Sequence, residues 1–204
     1  MHVFMNDAES ATVASPMWRV ALDDRYAQDG VLRTAEAGNQ VYEEVSRGLR
    51  EQDPGVPVAL DFTGIRAVTV PFVNHSISRL LGGWLSGYSD EHPLLVYGAD
   101  EDVRETLSAA LRPHRLIVLA IGEGGPELLG DDPVLENTVT AAREFDGDFS
   151  VADLANRLDL SAPATNNRLR SLLRSGAISR RLVIPPGGGK EFVYRFPTVE
   201  GAEN

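Results

Sequence analysis

The last third of the chain takes its fold from residues 150–178, which read SVADLANRLDLSAPATNNRLRSLLRSGAI. Apolar side chains recur at helical spacing on both sides of a short turn that begins at Asp159. Ser150 is followed three residues later by an acid, a pattern typical of a helix N-terminus, and Ser161 is placed to cap a second helix. Gly176 stands just past that helix, where a left-handed backbone is favoured. The stretch therefore predicts two amphipathic helices joined by a tight turn, as in a helix-turn-helix.

The second predicted helix has an apolar face and a polar face when it is projected at about 100° per residue. Leu169, Leu172 and Leu173 share the apolar face, with small, amide and cationic side chains around the rest of the helix. Short side chains and amides reach base edges in the major groove, and guanidinium groups contact phosphates or guanine. The candidate DNA-contacting residues of this helix and its cap are Ser161, Pro163, Ala164, Asn166, Asn167, Arg168, Arg170, Ser171 and Arg174.

Residues 177–196 predict a β-hairpin, because two strand-like runs flank a glycine-rich tip. Glycine lets a backbone approach a partner closely, so such a tip can lie along a minor groove. Arg180 and Arg181 on the first strand, with Gly188 and Lys190 at the tip, complete the candidate DNA-binding set.

The two helices and the hairpin together make residues 132–197 resemble the winged-helix DNA-binding domains of bacterial regulators. The resemblance is carried by TNNRL at residues 165–169, by GAI at residues 176–178 and by the arginine pair that follows. It implies that the second helix is a recognition helix and that the hairpin is a wing. The alternative is that the winged helix serves protein–protein contact or dimerisation, with a basic face that is only solvated surface.

Charge is distributed unevenly along the chain, whose net charge is −11. Residues 150–197 hold eight basic and three acidic side chains, so this segment carries +5 and the remainder −16. An acidic body opposes non-specific adhesion to polyanions, which leaves the basic segment to contact them. The charge pattern therefore favours DNA as the partner of this segment.

The first 121 residues predict an α/β fold, because strand-like apolar runs alternate with helix-like amphipathic stretches. Such alternation indicates a mostly parallel sheet with helices packed on it. The predicted strands lie at residues 17–22, 56–62, 94–97 and 116–120, and the predicted helices at residues 32–52, 70–88 and 100–111.

The glycines and prolines of residues 122–131 interrupt this alternation and predict a linker. The predicted organisation is a flexible tail at residues 1–14, an α/β domain at 15–121, the linker at 122–131, a winged helix-turn-helix at 132–197 and a tail at 198–204.

A second resemblance lies in residues 60–69, LDFTGIRAVT, which are similar to the central strand and loop of STAS-like domains, the fold of anti-sigma-factor antagonists. It covers about residues 17–121 and implies a sensing, pairing or dimerising module. In that family a serine at the start of the next helix is a phosphorylation switch. Here residues 70–72 read VPF, so the acceptor is missing. For Asp61 we expect the role of a strand-end residue that caps the next loop.

Catalytic, cofactor and metal sites are not expected. The absence of cysteine excludes disulfides, thiolate metal sites and cysteine nucleophiles. The four histidines are scattered without the spacing of a helical zinc pair. GGGK at residues 187–190 is not a phosphate loop, because Glu191 stands where a magnesium-binding hydroxyl is needed and a strand follows.

Membrane and secretory segments are also not expected. No apolar run approaches the ~18 residues of a membrane span, and the N-terminus lacks the basic leader and apolar core of a signal peptide. The expected location is the cytoplasm, with no membrane contact.

The leading hypothesis is a sequence-specific regulator of transcription that binds double-stranded DNA. It would act as a homodimer through its front domain, with Phe72, Ile77 and Trp84 as candidate contacts, although packing in the core explains these three residues equally well. The alternative is a signalling adaptor that binds a kinase-like or sigma-regulating protein partner through the STAS-like domain. A third and weaker hypothesis is an enzyme fragment.

Overall fold

A computed structural model describes residues 17–53, 56–85, 92–122, 125–184 and 188–196. The tails predicted at residues 1–14 and 198–204 lie outside these ranges. The strands are β1 (Trp18–Ala21), β2 (Val31–Leu32), β3 (Val58–Asp61), β4 (Ala67–Val68), β5 (Leu94–Tyr97), β6 (Ile117–Gly122), β7 (Gly125–Gly130), β8 (Phe149–Ser150), β9 (Ser179–Val183) and β10 (Glu191–Arg195). The α-helices are α1 (Ala35–Gly48), α2 (Val70–His75), α3 (Ile77–Leu85), α4 (Glu101–Leu111), α5 (Pro133–Arg143), α6 (Val151–Leu158) and α7 (Ala162–Arg174).

The central sheet has five strands in the order β1-β3-β5-β6-β7, and the first four run parallel. Right-handed crossovers between neighbouring parallel strands place their helices on one face of a sheet. In agreement, alternate residues of β3 and β5 enter one core with side chains of α1 to α4, including Leu60, Val96, Val41 and Leu107. The α/β fold with a mostly parallel sheet and helices packed on it is confirmed.

The opposite face of the sheet is covered by the C-terminal third of the chain. Ala59, Leu95 and Leu119 from three neighbouring strands form a buried apolar layer on this face. Ile117 of β6 belongs to the core of the C-terminal elements, and Leu128 of β7 packs against both clusters. The two halves of the chain therefore share apolar contacts across the sheet, in addition to their covalent connection.

The C-terminal elements form a second core between three helices and a small sheet. Strands β8, β10 and β9 pair antiparallel in that order. Their residues Phe149 and Tyr194 stack, with ring centroids 6.0 Å apart, beside the buried Leu154 of α6 and Leu169 of α7. The two predicted helices and the predicted hairpin are present in the expected order.

The helix ends in this region use the predicted caps. The hydroxyl of Ser150 accepts from the Asp153 backbone N–H at 3.2 Å, and the Asp153 carboxylate accepts from the Ser150 N–H at 2.8 Å. The Ser161 hydroxyl accepts from the backbone N–H of Ala164 at the start of α7. Gly176 takes the left-handed φ of 71° after α7. Each cap satisfies backbone groups that a helix end leaves without a partner.

The linker predicted at residues 122–131 is wrong, because β7 occupies most of it. β7 pairs antiparallel with β6 from Ile117↔Gly130 to Gly122↔Gly125, at the edge of the central sheet. Glycine and proline weaken a strand interior, so their presence at residues 122–131 favoured the prediction of a linker over that of a strand. A proline such as Pro126 is tolerated on an edge strand, where its missing N–H leaves no ladder partner unpaired.

The helix predicted at residues 70–88 is divided in two. α2 ends at His75. The next residue, Ser76, leaves the helical region with φ −116° and ψ −89°, and its hydroxyl donates to the Phe72 carbonyl at 2.7 Å. Phe72 and Ile77, the predicted dimer contacts, are fully buried in the core below the helices. They are therefore unavailable to a second chain, and the Trp84 side chain lies outside the described residues.

Candidate nucleic-acid interface

The exposed side of α7 presents one continuous stripe of amide and arginine side chains that begins at a proline. Pro163, Asn166, Asn167 and Arg170 are exposed and Arg174 is half-buried, at the spacing that places residues on one helix face. Thr165, Leu169 and Leu172, on the opposite face, are fully buried in the C-terminal core. The burial of the leucines thus fixes the rotation of α7, and that rotation presents the amides and guanidinium groups to solvent.

A cavity of about 120 Å³ lies between this stripe and the first strand of the hairpin. It is lined by Asn166, Arg170, Leu173, Arg174 and Arg180. Three of these five side chains are guanidinium groups, and none of these five described residues is acidic. The cavity is therefore a site of positive potential with planar donors suited to phosphate oxygens.

The buried Tyr194 lies close enough to two of these arginines to be affected by their positive charge. Burial raises the pKa of its phenol, and the positive charges of Arg180 and Arg170 oppose that rise. Arg170 comes from α7 and Arg180 from β9, so both guanidinium groups act on one buried ring. The helix and the hairpin consequently form one cationic surface.

Arg180 is held on the α7 side of the hairpin. It pairs with Tyr194 in the register of β9 and β10, and directly opposed residues in a sheet point to the same face. Its guanidinium lies over the Phe192 ring, 4.8 Å from the centroid. A cation over an aromatic face is held in place without losing its charge, so Arg180 still offers its donors to an anion.

Arg181 is placed differently from its neighbour. Its Nε donates to the Asp148 carboxylate at 2.9 Å, and the Arg195 Nε donates to the other oxygen of that group at 2.6 Å. Burial tends to raise the pKa of Asp148, but the hydrogen bond from Arg181 and the charges of Arg195 and Arg181 outweigh it and lower the pKa. Asp148 thus ties the hairpin to the turn before β8, and Arg181 does not reach the cavity.

Arg168 also turns away from the cavity. It is half-buried, and its Nη1 donates to the hydroxyl of Thr138 in α5 at 3.3 Å. Ala164 is half-buried, and the Ser171 hydroxyl donates to the Asn167 carbonyl within α7. These three predicted contact residues therefore lie beside the stripe or serve the packing of α7.

The hairpin tip is exposed at Gly188 and Lys190. Gly188 and its neighbour Gly189 have φ values of 79° and 94°, and a Cβ at either position would meet no atom within 4 Å. The turn thus requires glycine for its backbone conformation alone, and the tip remains open to a partner. The residues before Gly188 in the tip lie outside the described part of the chain.

Two residues of this surface were not predicted from the sequence. Asp148 stands in a turn, and its role depends on two arginines that come from distant strands. Phe192 is exposed although it is aromatic. Strand alternation could have revealed it, since Phe192 pairs with Leu182 on one face of the hairpin.

Elsewhere, a larger cavity of about 410 Å³ lies between α4 and β7. Its lining carries both signs of charge, including the Arg104–Glu127 pair at 3.4 Å. Across the described ranges, no group of three or more histidine, aspartate or glutamate side chains is arranged to hold a metal ion. None of the described helices combines the length and the apolar character that crossing a membrane demands.

Comparison with known proteins adds little to this geometry. No family model matches the chain, and no curated protein matches it in sequence. Among solved structures, the chain is similar to one described as a possible transcriptional regulator from Methanosarcina mazei Go1, with 17% identity and a TM-score of 0.31. That match covers 36% of this chain and 62% of the other, so the chain spans less than two thirds of the protein it matches. A similarity of this size carries no argument about fold or function.

Proposed function

We propose that the protein binds double-stranded DNA through α7 and the β9–β10 hairpin and acts as a regulator of transcription. The observation that carries the proposal is the cavity in which Arg170, Arg174 and Arg180 converge beside the exposed stripe of α7. A duplex offers a partner to both features, because its phosphates suit the guanidinium groups and its base edges suit the amides.

The position of each residue along α7 determines which part of the duplex it would contact, the base edges or the backbone. Pro163, Asn166 and Asn167 lie in its N-terminal half, the part of a recognition helix that contacts base edges. Arg170, Arg174 and Arg180 lie toward its C-terminal end and the hairpin, where they would contact the backbone of the duplex. The sequence resemblance to winged-helix domains of bacterial regulators supports the same assignment.

We further propose that the front half is a sensing or dimerising module and that the protein acts without catalysis or a cofactor. The STAS-like resemblance supports this role. Ile117 of β6 lies in one core with Leu169 and Leu172 of α7, so the front half has direct contact with the proposed DNA-binding elements. A protein partner of the front half, in the cytoplasm, belongs to the same proposal.

The test is a titration of the full chain into a labelled duplex of mixed sequence, followed by fluorescence anisotropy between about 50 and 200 mM salt. We expect an affinity that falls steeply with salt. Arg170→Ala and Arg180→Ala should each weaken binding and lower the salt slope by about one unit, because each removes one phosphate contact. Arg50→Ala, which removes an exposed arginine of the 3₁₀ turn Leu49–Glu51, is the matched control and should bind as the wild type does.

Absence of salt-sensitive binding to this duplex and to fragments of genomic DNA would contradict the proposal. The protein-binding adaptor would then be favoured, because the cationic surface would need a different anionic partner.

A further inference from the structure

The α7-facing side of the hairpin carries large apolar side chains in positions open to solvent. Leu182 and Phe192 pair directly across the two strands and are 49% and 44% exposed. Ile184, just past the end of β9, is 73% exposed. We call these three residues the apolar hairpin face. Their exposure costs free energy in the isolated chain, since each leaves apolar surface in water.

Cations border this face. Arg180 lies next to it on the same side of β9, with its guanidinium over the Phe192 ring, and the exposed Lys190 follows the tip. Glu191 is adjacent to Phe192 in the strand and therefore points to the opposite side of the hairpin. The surface around the apolar residues is thus positive.

We propose that the apolar hairpin face inserts into the minor groove of duplex DNA, wedges between base steps and bends the duplex. This inference rests on the proposed function. The groove offers sugars and base edges between two rows of phosphates, which matches apolar side chains bordered by cations. Phenylalanine, leucine and isoleucine are among the side chains that partly unstack base steps in this way.

The placement of the hairpin permits this contact while α7 occupies the major groove. Arg180 of β9 and Asn166 of α7 line the same cavity, so the hairpin face and the helix stripe open toward the same partner. The adjacent minor groove lies beside the major groove that holds the helix. Because pyrimidine–purine steps kink most easily, the hairpin selects sites with such a step at the position it reaches.

A second copy of this chain fits the apolar hairpin face less well. In a two-fold contact the same patch is used by both copies, so the cations that border the face on one copy, Arg180 among them, would lie against a face bordered by the same cations on the other. Like charges placed in this way oppose association. DNA neutralises the same charges, so the cations around the face favour DNA as the occupant.

The experiment measures binding and bending together on a duplex of about 30 base pairs that carries a central TA step and a dye at each end. For the full-length wild type we expect binding with a shortened end-to-end distance, as for a bend of the order of 20–90°. Phe192→Ser and Leu182→Ser should each weaken binding about tenfold, because they remove the wedge, and should restore the longer distance. Their salt slopes should stay as in the wild type, since no charge is removed.

Val134→Ser is the matched control, because Val134 is 50% exposed and belongs to α5, which is no part of the hairpin. It should bind and bend the duplex as the wild type does. Phe192→Leu keeps an apolar wedge and should retain most of the bend, which separates loss of the wedge from loss of the fold.

Three results would overturn the inference. If the wild type binds the duplex and the serine variants bend it equally, the hairpin face plays no part in bending. If the serine variants leave DNA binding intact but convert a dimer to a monomer in sedimentation, the face is a contact between copies. If the wild type binds no duplex at all, the proposed function itself fails, which the first measurement shows separately.

Discussion

The backbone N–H of Leu119, in strand β6 of the five-stranded sheet, donates to the carbonyl oxygen of Ser175 at the end of α7, with 2.9 Å between nitrogen and oxygen. This bond joins the two halves of the chain at the point where α7 ends. Gly176 lies against the same face of the sheet, next to Leu94 and Leu95 of β5. The position of α7 is therefore set by the sheet as well as by its own core.

Gly176→Val should lower the free energy of unfolding by about 2–4 kcal/mol. The residue has a φ of 71°, and a Cβ would lie 2.7 Å from the Leu94 carbonyl oxygen and closer still to the Leu95 side chain. The free-energy cost of the strained backbone and the cost of the steric collision therefore add. Urea unfolding measures the loss.

Gly188→Val is the matched control for that experiment. Gly188 has a similar φ of 79°, but a Cβ added there would meet no atom within 4 Å, so only the backbone strain of about 1–2 kcal/mol applies. Equal losses in the two variants would contradict this prediction, because they would show that Leu94 and Leu95 accommodate a side chain at position 176 without cost.

Asp148→Asn should destabilise the protein by about 1 kcal/mol at neutral pH, because Arg181 and Arg195 lose the carboxylate between them. The folded protein lowers the pKa of Asp148 below 3.8. Its contribution to stability is thus fully present above pH 3.8 and is lost as the pH falls through the folded-state pKa. Melting curves of the wild type and the variant should therefore converge in acid.

Asp146→Asn, in the same turn, is the control for this pH series, because Asp146 is exposed. It should melt as the wild type does at neutral pH. A difference between wild type and Asp148→Asn that persists undiminished in acid would contradict an ionic role for Asp148.

Asn167→Ala and Lys190→Ala should affect DNA binding in different ways. If Asn167 contacts a base edge, its loss costs about 1–3 kcal/mol on a selected site and leaves binding to random duplex nearly unchanged. Lys190 would contact phosphate, so its loss should weaken all sequences alike and lower the salt slope by about one unit. The measurement is a pair of salt titrations on selected and random duplexes. Equal losses on both duplexes for both variants would mean that α7 supplies charge without selectivity.

The full-length protein should sediment as a dimer of its 22.1 kDa chain and select a site with two-fold symmetry. A single unit of this size contacts too little DNA for useful selectivity, and two related half-sites double the contact. A chain that remains monomeric both free and on DNA would contradict this expectation and leave the front half to another partner.

Local sequence determined the elements that surround the candidate site. The caps Ser150 and Ser161, the left-handed Gly176 and the leucine face of α7 were all readable, because each depends on residues within a few positions along the chain. The mostly parallel sheet was readable for a similar reason, since apolar runs alternate with amphipathic ones. What these patterns specify is the local backbone and the buried face.

Tertiary structure alone decided which side chains meet. β7 became a strand because β6 offers it a full antiparallel ladder, although its glycines and proline argue locally for a loop. Arg168 and Arg181 have partners outside the cavity, because Thr138 and Asp148, which lie 30 and 33 residues away along the chain, come next to them in the fold. Arg180 lines the cavity with Arg170 and Arg174 because strand pairing places it beside α7. The sequence sets which residues can be charged or exposed, but the partner that each one finds depends on contacts between distant segments, which exist only once the chain has folded.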